Sequence, residues 1–266
     1  MKTLRYIFGH SFALALSCVL LLVTVPAESS CDVDAAWPKN QTLGPSFSIL
    51  SWNMQKAGGK GWQQDLMALT DSVELAFLQE ASLQAGIPEL LPDELTAVFA
   101  QGYSTSQLNS GVMTLGSAAP QVHCSYSAVE PWLRTPKAAS VAEFALQGSD
   151  DRLLAVNLHA INFSLGLQSL REQLAPLVAQ LAEHAGPAIV AGDFNTWSGT
   201  RQALVDRLMA SQGLTQVAFK NDLRSRPLGR PLDHVYLRGL RAERAEVVAV
   251  ASSDHNPIRL RLTLEP

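Results

Sequence analysis

Ala188-Ile-Val-Ala-Gly-Asp-Phe-Asn-Thr-Trp197 is a short apolar run that breaks at Gly192 and then presents Asp193 and Asn195. Small and β-branched residues without polar alternation suit a strand covered on both faces, and Gly192 permits a tight exit. The two polar side chains then stand at the strand's carboxyl end, the edge where open α/β sheets bind ligands. A plainer reading is equally open at this point: Asp193 and Asn195 as an Asx-turn capping a helix that starts near Ser198 or Gly199.

The pattern of apolar run followed by a polar residue recurs along the chain. Phe47-Ser-Ile-Leu-Ser-Trp-Asn53 closes on an amide, Val73 to Gln79 delivers Glu80, and Leu153 to Leu158 delivers His159. Further strands are expected over 111–115, around Val122, and over 139–146, 246–251 and 257–264. Helical spacing of Leu167, Leu170, Leu174, Leu177, Val178 and Leu181 predicts an amphipathic helix covering the sheet, with others over 62–70 and 200–209. Strands interleaved with helices give an α/β class. Ser253-Asp254-His255 falls between the last two strands, and Leu232-Asp233-His234 follows a loop, Lys220 to Arg230, holding four cations against one acid. That loop reads as a solvated run or as a phosphate-steering one, with Arg230 nearest the Asp-His pair. Gly58-Gly-Lys-Gly61, flanked by Lys56, lacks phosphate-loop spacing and reads as a flexible turn.

The 266 residues, 47% of them hydrophobic, suffice for one substantial core. We expect a domain over 47–266 and a linker over 28–46, marked by Pro38, Gly44 and Pro45. Lys2 and Arg5 precede a run from Tyr6 to Ala27 without Asp, Glu, Lys or Arg. Residues 1–27 therefore read as a cleavable signal peptide or as an uncleaved membrane anchor, and either implies export to the periplasm or beyond. A net charge of −4 excludes an avid, non-specific nucleic-acid binder. Cys31 and Cys124 are either a disulfide or two unpaired thiols, and no cysteine spacing suits structural zinc. Nothing points to a protein partner, so a monomer is expected.

The segments WNM, LQE, NLH, GDFN, LDHVY and SDHNP, in that order, resemble the endonuclease/exonuclease/phosphatase superfamily, which includes exonuclease III, deoxyribonuclease I and the neutral sphingomyelinases. GVMTL, NLHAINFSLG, AGDFNTWS and GRPLDHVY resemble its bacterial YafD-type branch. The resemblance implies a four-layer α/β/β/α sandwich, two mixed β-sheets flanked by helices. It also implies a phosphodiester hydrolase dependent on Mg²⁺ or Mn²⁺, a nuclease acting on DNA or RNA or else an enzyme of phospholipid or small diesters. Glu80 matches the metal-ligand glutamate, with Asn53 and Asp254 completing or orienting its shell. Asp193 matches the group that aligns and deprotonates the attacking water, with Asn195 on water or phosphate. Asp233 and His255 should pair, giving an imidazolium that polarises the phosphate. His159 matches a phosphate binder or leaving-group acid; Lys137 and, in the basic loop, Arg230 are further phosphate contacts. Gln55, where abasic-site enzymes carry an acid, and His159, where they carry tyrosine, lead away from that branch. A non-catalytic module that binds a phosphorylated ligand is the more distant alternative.

Overall fold

In β2 (Ser46–Asn53), Phe47 and Ile49 point into one core while Leu50 and Trp52 point into another. The two-residue period of a strand sends alternate side chains to opposite faces, so a strand with large apolar side chains on both faces must be covered twice. β9 (Ala188–Asp193) obeys the same rule: Ile189 and Ala191 face inward, Ala188 and Val190 outward. These strands organise the computed structural model, which describes residues 29–32, 41–92 and 95–265.

Around them the chain runs β1 (Ser29–Asp32), β2, α1 (Trp62–Thr70), β3 (Leu75–Ser82), β4 (Thr96–Ser104), β5 (Asn109–Gly116), β6 (Val122–Val129), β7 (Pro136–Ala145) and β8 (Arg152–His159). It continues through α2 (Gln168–Glu183), β9, α3 (Gly199–Ser211), β10 (Thr215–Gln216), β11 (Asp233–Arg238), β12 (Leu240–Val247) and β13 (Ile258–Leu264). Seven strands form one sheet in the order β1-β6-β7-β8-β9-β11-β10, and six form the other in the order β12-β13-β2-β3-β5-β4. Both sheets are mixed: β8 with β9 and β2 with β3 are parallel, their other neighbours antiparallel. Phe47, Phe77, Phe144, Ile189 and Val235 fill the space between the sheets. Leu170, Leu174, Leu177 and Leu181 of α2, with Leu204 and Val205 of α3, cover the outer face of the first sheet, and Leu66 and Leu69 of α1 cover the second. The architecture is the expected four-layer sandwich.

Three local expectations change. Residues 29–32 and 41–46, placed in a linker, include a strand and a buried residue: β1 pairs with β6, Cys31 is bonded to Cys124, and Leu43 is buried and bridges Leu146. Ser-Ser-Cys-Asp carries no apolar signal, so only pairing and the disulfide reveal it as a strand. The strand expected over 246–251 lies earlier, as β12, and Val248 and Val250 pack as irregular chain against the α1 side. Edge strand β4 was not expected, because its burial is too patchy for a clean alternation. The signal or anchor expected over 1–27 lies outside the described residues.

Candidate active site

Asp193, His159 and Asp233 end up abreast because their strands are neighbours: Asp193 is the Cα partner of His159 across the parallel β8–β9 pair and of Asp233 across the antiparallel β9–β11 pair. Gly192 makes that row possible. At φ +141° it lies where L side chains rarely go, and a Cβ there would stand 2.0 Å from the Leu158 carbonyl oxygen. From the other sheet, β2 brings Asn53 and β3 brings Glu80. Glu80 does not follow its strand as expected; it is the extra residue of a bulge, φ +49°, between Gln79 and Ala81 in the ladder with β5. A bulge re-aims one side chain, here a carboxylate.

His255 arrives on the loop before β13, fixed by its neighbours. Its backbone N–H donates to Ser253 Oγ (3.1 Å), Ser253 Oγ donates to the Asn53 carbonyl (2.7 Å), and Trp52 Nε1 donates to the His255 carbonyl (3.0 Å). Gly59 touches this loop so closely that a Cβ would lie 1.8 Å from the Ser252 carbonyl oxygen. The glycine cluster is thus a packing surface for the histidine loop as well as a turn.

These groups line one cavity of about 710 Å³, with Asn53, Lys56, Glu80, Lys137, His159, Asp193, Asn195, Asp254 and His255 in its wall. Asp233 lies just behind and bonds His255, Oδ2 to Nδ1, at 2.8 Å. Burial disfavours the charged imidazole, but Asp233, by charge and hydrogen bond, and then Asp193 outweigh it and raise the His255 pKa to about 10. Asp193 is almost wholly buried. Its Oδ2 accepts from Asn53 Nδ2 at 3.1 Å and lies 3.6 Å from His159 Nε2 and 4.0 Å from His255 Nε2. Desolvation raises its pKa to about 6 against the pull of His255. Its Oδ1 accepts from the Asn195 N–H at 2.9 Å, so an Asx-turn does exist, but the cap of α3 is Ser198, which accepts from Arg201 N–H. The turn and the cavity-lining role coexist.

His159 is neutral: burial, then Lys137, push its pKa well below the ordinary value, and Lys137 Nζ donates to Nε2 at 2.9 Å. That disfavours His159 as a leaving-group acid, because its Nε2 accepts the Lys137 hydrogen bond and has no proton to give. Glu80 Oε2 lies 3.2 Å from Lys56 Nζ, and its Oε1 3.9 Å from His159 Nε2. Arg230 does not line the cavity; it packs near Gly199, and Arg226 of the same loop lines the wall in its place.

Several supporting residues escaped the sequence reading. Gln173 of α2 donates from Nε2 to the His159 carbonyl (3.0 Å) and accepts from Ile161 N–H (2.8 Å), holding the chain that leaves β8. Arg201, almost fully buried, donates to the carbonyls of Asn195 and Ile161, and Asn195 Nδ2 donates to the Ala160 carbonyl. Polar residues inside helices carry no distinguishing sequence signal; a buried glutamine on the apolar face of α2 was the only available hint.

The model of the Endonuclease/Exonuclease/phosphatase family matches residues 50–255, which contain every residue of this cavity. The chain belongs to that family. Membership makes it a phosphoester hydrolase of the nuclease and phosphatase type. It is 40% identical over 228 residues to a UPF0294 protein of Vibrio vulnificus, covering 82% of this chain and 78% of the relative. Among solved structures it resembles an endonuclease/exonuclease/phosphatase from Bacteroides vulgatus (TM-score 0.64, 15% identity, 83% of this chain and 99% of that one). It also resembles the human Nocturnin catalytic domain with bound sulfate (TM-score 0.60, 17% identity, 84% and 96%). At such identities the structures speak for the family fold alone.

Proposed function

We propose that the protein hydrolyses phosphodiesters with the help of a divalent cation, Mg²⁺ or Mn²⁺. The observation that carries this is the strained bulge at Glu80, which turns a carboxylate into a cavity already lined by Asp193, Asp254 and the Asn53 amide. Hard oxygen donors lining one cavity suit such an ion, and a non-glycine residue at φ +49° persists where function repays the strain. Among the described residues, the tightest set of candidate ligand atoms is instead Asp193, Asp233 and His255. His255 already binds Asp233 through Nδ1 and carries positive charge, so that trio suits proton and charge placement better than cation binding. Glu80, with Asn53 and Asp254, would hold the ion, which supplies charge neutralisation of the phosphate.

Asp193, desolvated and fixed by Asn53 and Asn195, orients a water and accepts its proton. His255, held charged by Asp233, places a cationic donor opposite the developing phosphate charge. Asn195, Lys137 and Arg226 face the phosphate, and His159 positions the Lys137 ammonium. Export to an oxidising compartment is supported by the Cys31–Cys124 bond together with the uncharged run from Tyr6 to Ala27. The test uses bis(p-nitrophenyl) phosphate, DNA, RNA and phospholipids, with Mg²⁺, Mn²⁺ or chelator. Asp193→Asn should lower turnover roughly a hundredfold or more, and chelator should abolish it. Full activity in chelator would remove the cation from the mechanism, and an unimpaired Asp193→Asn would remove the base. The basic loop speaks for a polynucleotide, the acidic net charge for a lipid-borne or small diester.

A further inference from the structure

Six large apolar side chains among the described residues are at least half exposed: Trp132, Leu133, Phe163, Leu165, Leu223 and Leu228. All six lie on three loops at the carboxyl end of β8 and β9, where the cavity opens: the β6–β7 loop, the β8–α2 loop and the β10–β11 loop. These loops form one rim. Asn162 N–H donates to Glu130 Oε1 at 2.7 Å, and Asn162 lines the cavity together with Ser225, Arg226 and Pro227. Exposed cations share the loops, namely Arg134, Lys220, Arg226 and Arg230. The acids there are spoken for: Glu130 is buried, and Asp222 bonds Arg224 and Arg226. An acidic protein thus presents a cationic, apolar mouth. Leucine and tryptophan beside lysine and arginine is the composition of a surface seated in a lipid interface.

The direction of the chain adds an independent observation. β6 runs toward the mouth, and β1 is antiparallel to it, with Ser29 opposite Tyr126 and Asp32 opposite His123. The chain therefore enters the described fold from the mouth end. The uncharged run ends at Ala27, two residues before Ser29, and Cys31 is covalently fixed to Cys124. Were that run in a membrane, the disulfide would hold the mouth against the bilayer with no slack.

We propose that the cavity mouth docks on an anionic lipid bilayer and that the diester hydrolysed is carried by a lipid. This rests on the phosphodiesterase reading. Water adds across one P–O ester bond, giving a phosphomonoester and an alcohol, and the water's proton ends on the released oxygen. Four of the six rim residues are leucines without a π-face, which favours acyl chains over stacked bases.

The test places the full chain in vesicles of phosphatidylcholine and phosphatidylglycerol with brominated acyl chains. Tryptophan emission should be quenched, and Trp132→Phe should remove a distinct part of the quenching. The Trp132→Ser/Leu165→Ser variant should lose about tenfold or more of its hydrolysis of vesicle phospholipids and stay within about twofold on bis(p-nitrophenyl) phosphate. Quenching indifferent to Trp132→Phe overturns the docking and shows the rim covered otherwise, while cleavage of the soluble diester would leave the enzyme reading standing. Cleavage of that diester with no phospholipid of a four-headgroup panel attacked overturns the lipid substrate. Salt-sensitive binding of single-stranded DNA that the double variant abolishes assigns the rim to nucleic acid instead. Failure on the soluble diester and on every phospholipid removes the phosphodiesterase reading and leaves the quenching result to decide the docking.

Discussion

Acid should weaken the fold through His234, and its surroundings fix the size of the effect. The ring is buried next to Asp233, with Nε2 2.7 Å from Thr196 Oγ1 and Nδ1 3.0 Å from Arg224 Nη1. Thr196 Oγ1 already donates to the Pro231 carbonyl at 2.8 Å, so it accepts from Nε2–H, and a guanidinium only donates, so Nδ1 accepts. A neutral ring satisfies both; a second proton would face Arg224. Burial first and Arg224 second lower the pKa from 6.5 to about 3. The unfolded ring takes up its proton near 6.5, so this stability is whole above that pH and is lost as pH falls toward 3. Between about pH 7.5 and about pH 5 the loss is about 2 kcal/mol. His255 runs the other way: its folded pKa of about 10 gives stability that is full below the unfolded value and is lost as pH rises toward 10. The overall pH profile therefore mixes opposite signs, and the difference between wild type and His234→Gln isolates one. Glutamine keeps a donor and an acceptor without titrating. In urea unfolding followed by tryptophan emission in chelator, wild type should lose about 2 kcal/mol more than the variant between those pH values. Equal losses would refute the neutral-ring assignment.

Three further outcomes follow from the geometry. Gly192→Ala sets a Cβ 2.0 Å from a backbone oxygen at φ +141° and should cost roughly 3 kcal/mol or more, read as a lowered melting temperature or loss of folded protein. Removing the Cys31–Cys124 link, whose ends are 93 residues apart, by Cys31→Ser/Cys124→Ser should cost about 4 kcal/mol in denaturant unfolding under oxidising conditions, and nothing under reducing ones. Arg226→Ala should raise KM for a soluble diester about fivefold, whereas Arg230→Ala should stay within about twofold; the reverse order would return the phosphate contact to Arg230.

What the sequence shows of the fold follows from burial. Strands covered on both faces, such as β2, β8 and β9, carry apolar side chains on both faces with few charged residues, and the leucine stripe of α2 marks its buried face; both are legible as composition. Among the described residues β1 and β4 lie at sheet edges, where one side of the strand has no neighbour and exposure blurs the alternation. Their existence depends on a partner strand remote in sequence, and for β1 on a covalent bond that spacing alone leaves open.

The site divides in the same way, but for a different reason. Residue types are local: Asn53, His159 and Asp193 announce themselves by ending apolar runs, and His255 by its Asp-His pairing between two strands. Conformation is not local. Of the non-glycine residues at positive φ among those described, Gln55, Lys56, Glu80 and Asn195 all line the cavity. Each such position costs of order 1 kcal/mol or more and survives only where surrounding contacts over-determine it. For Asn195 those contacts are the Asp193 carboxylate, the Ala160 carbonyl and Arg201; for Glu80 they are the ladder bonds either side of the bulge. A sequence therefore names the chemical groups, while the choice of Arg226 over Arg230 is decided by the course of the packed loop, and the aim of Glu80 into the cavity by strain that only the packed sandwich can hold.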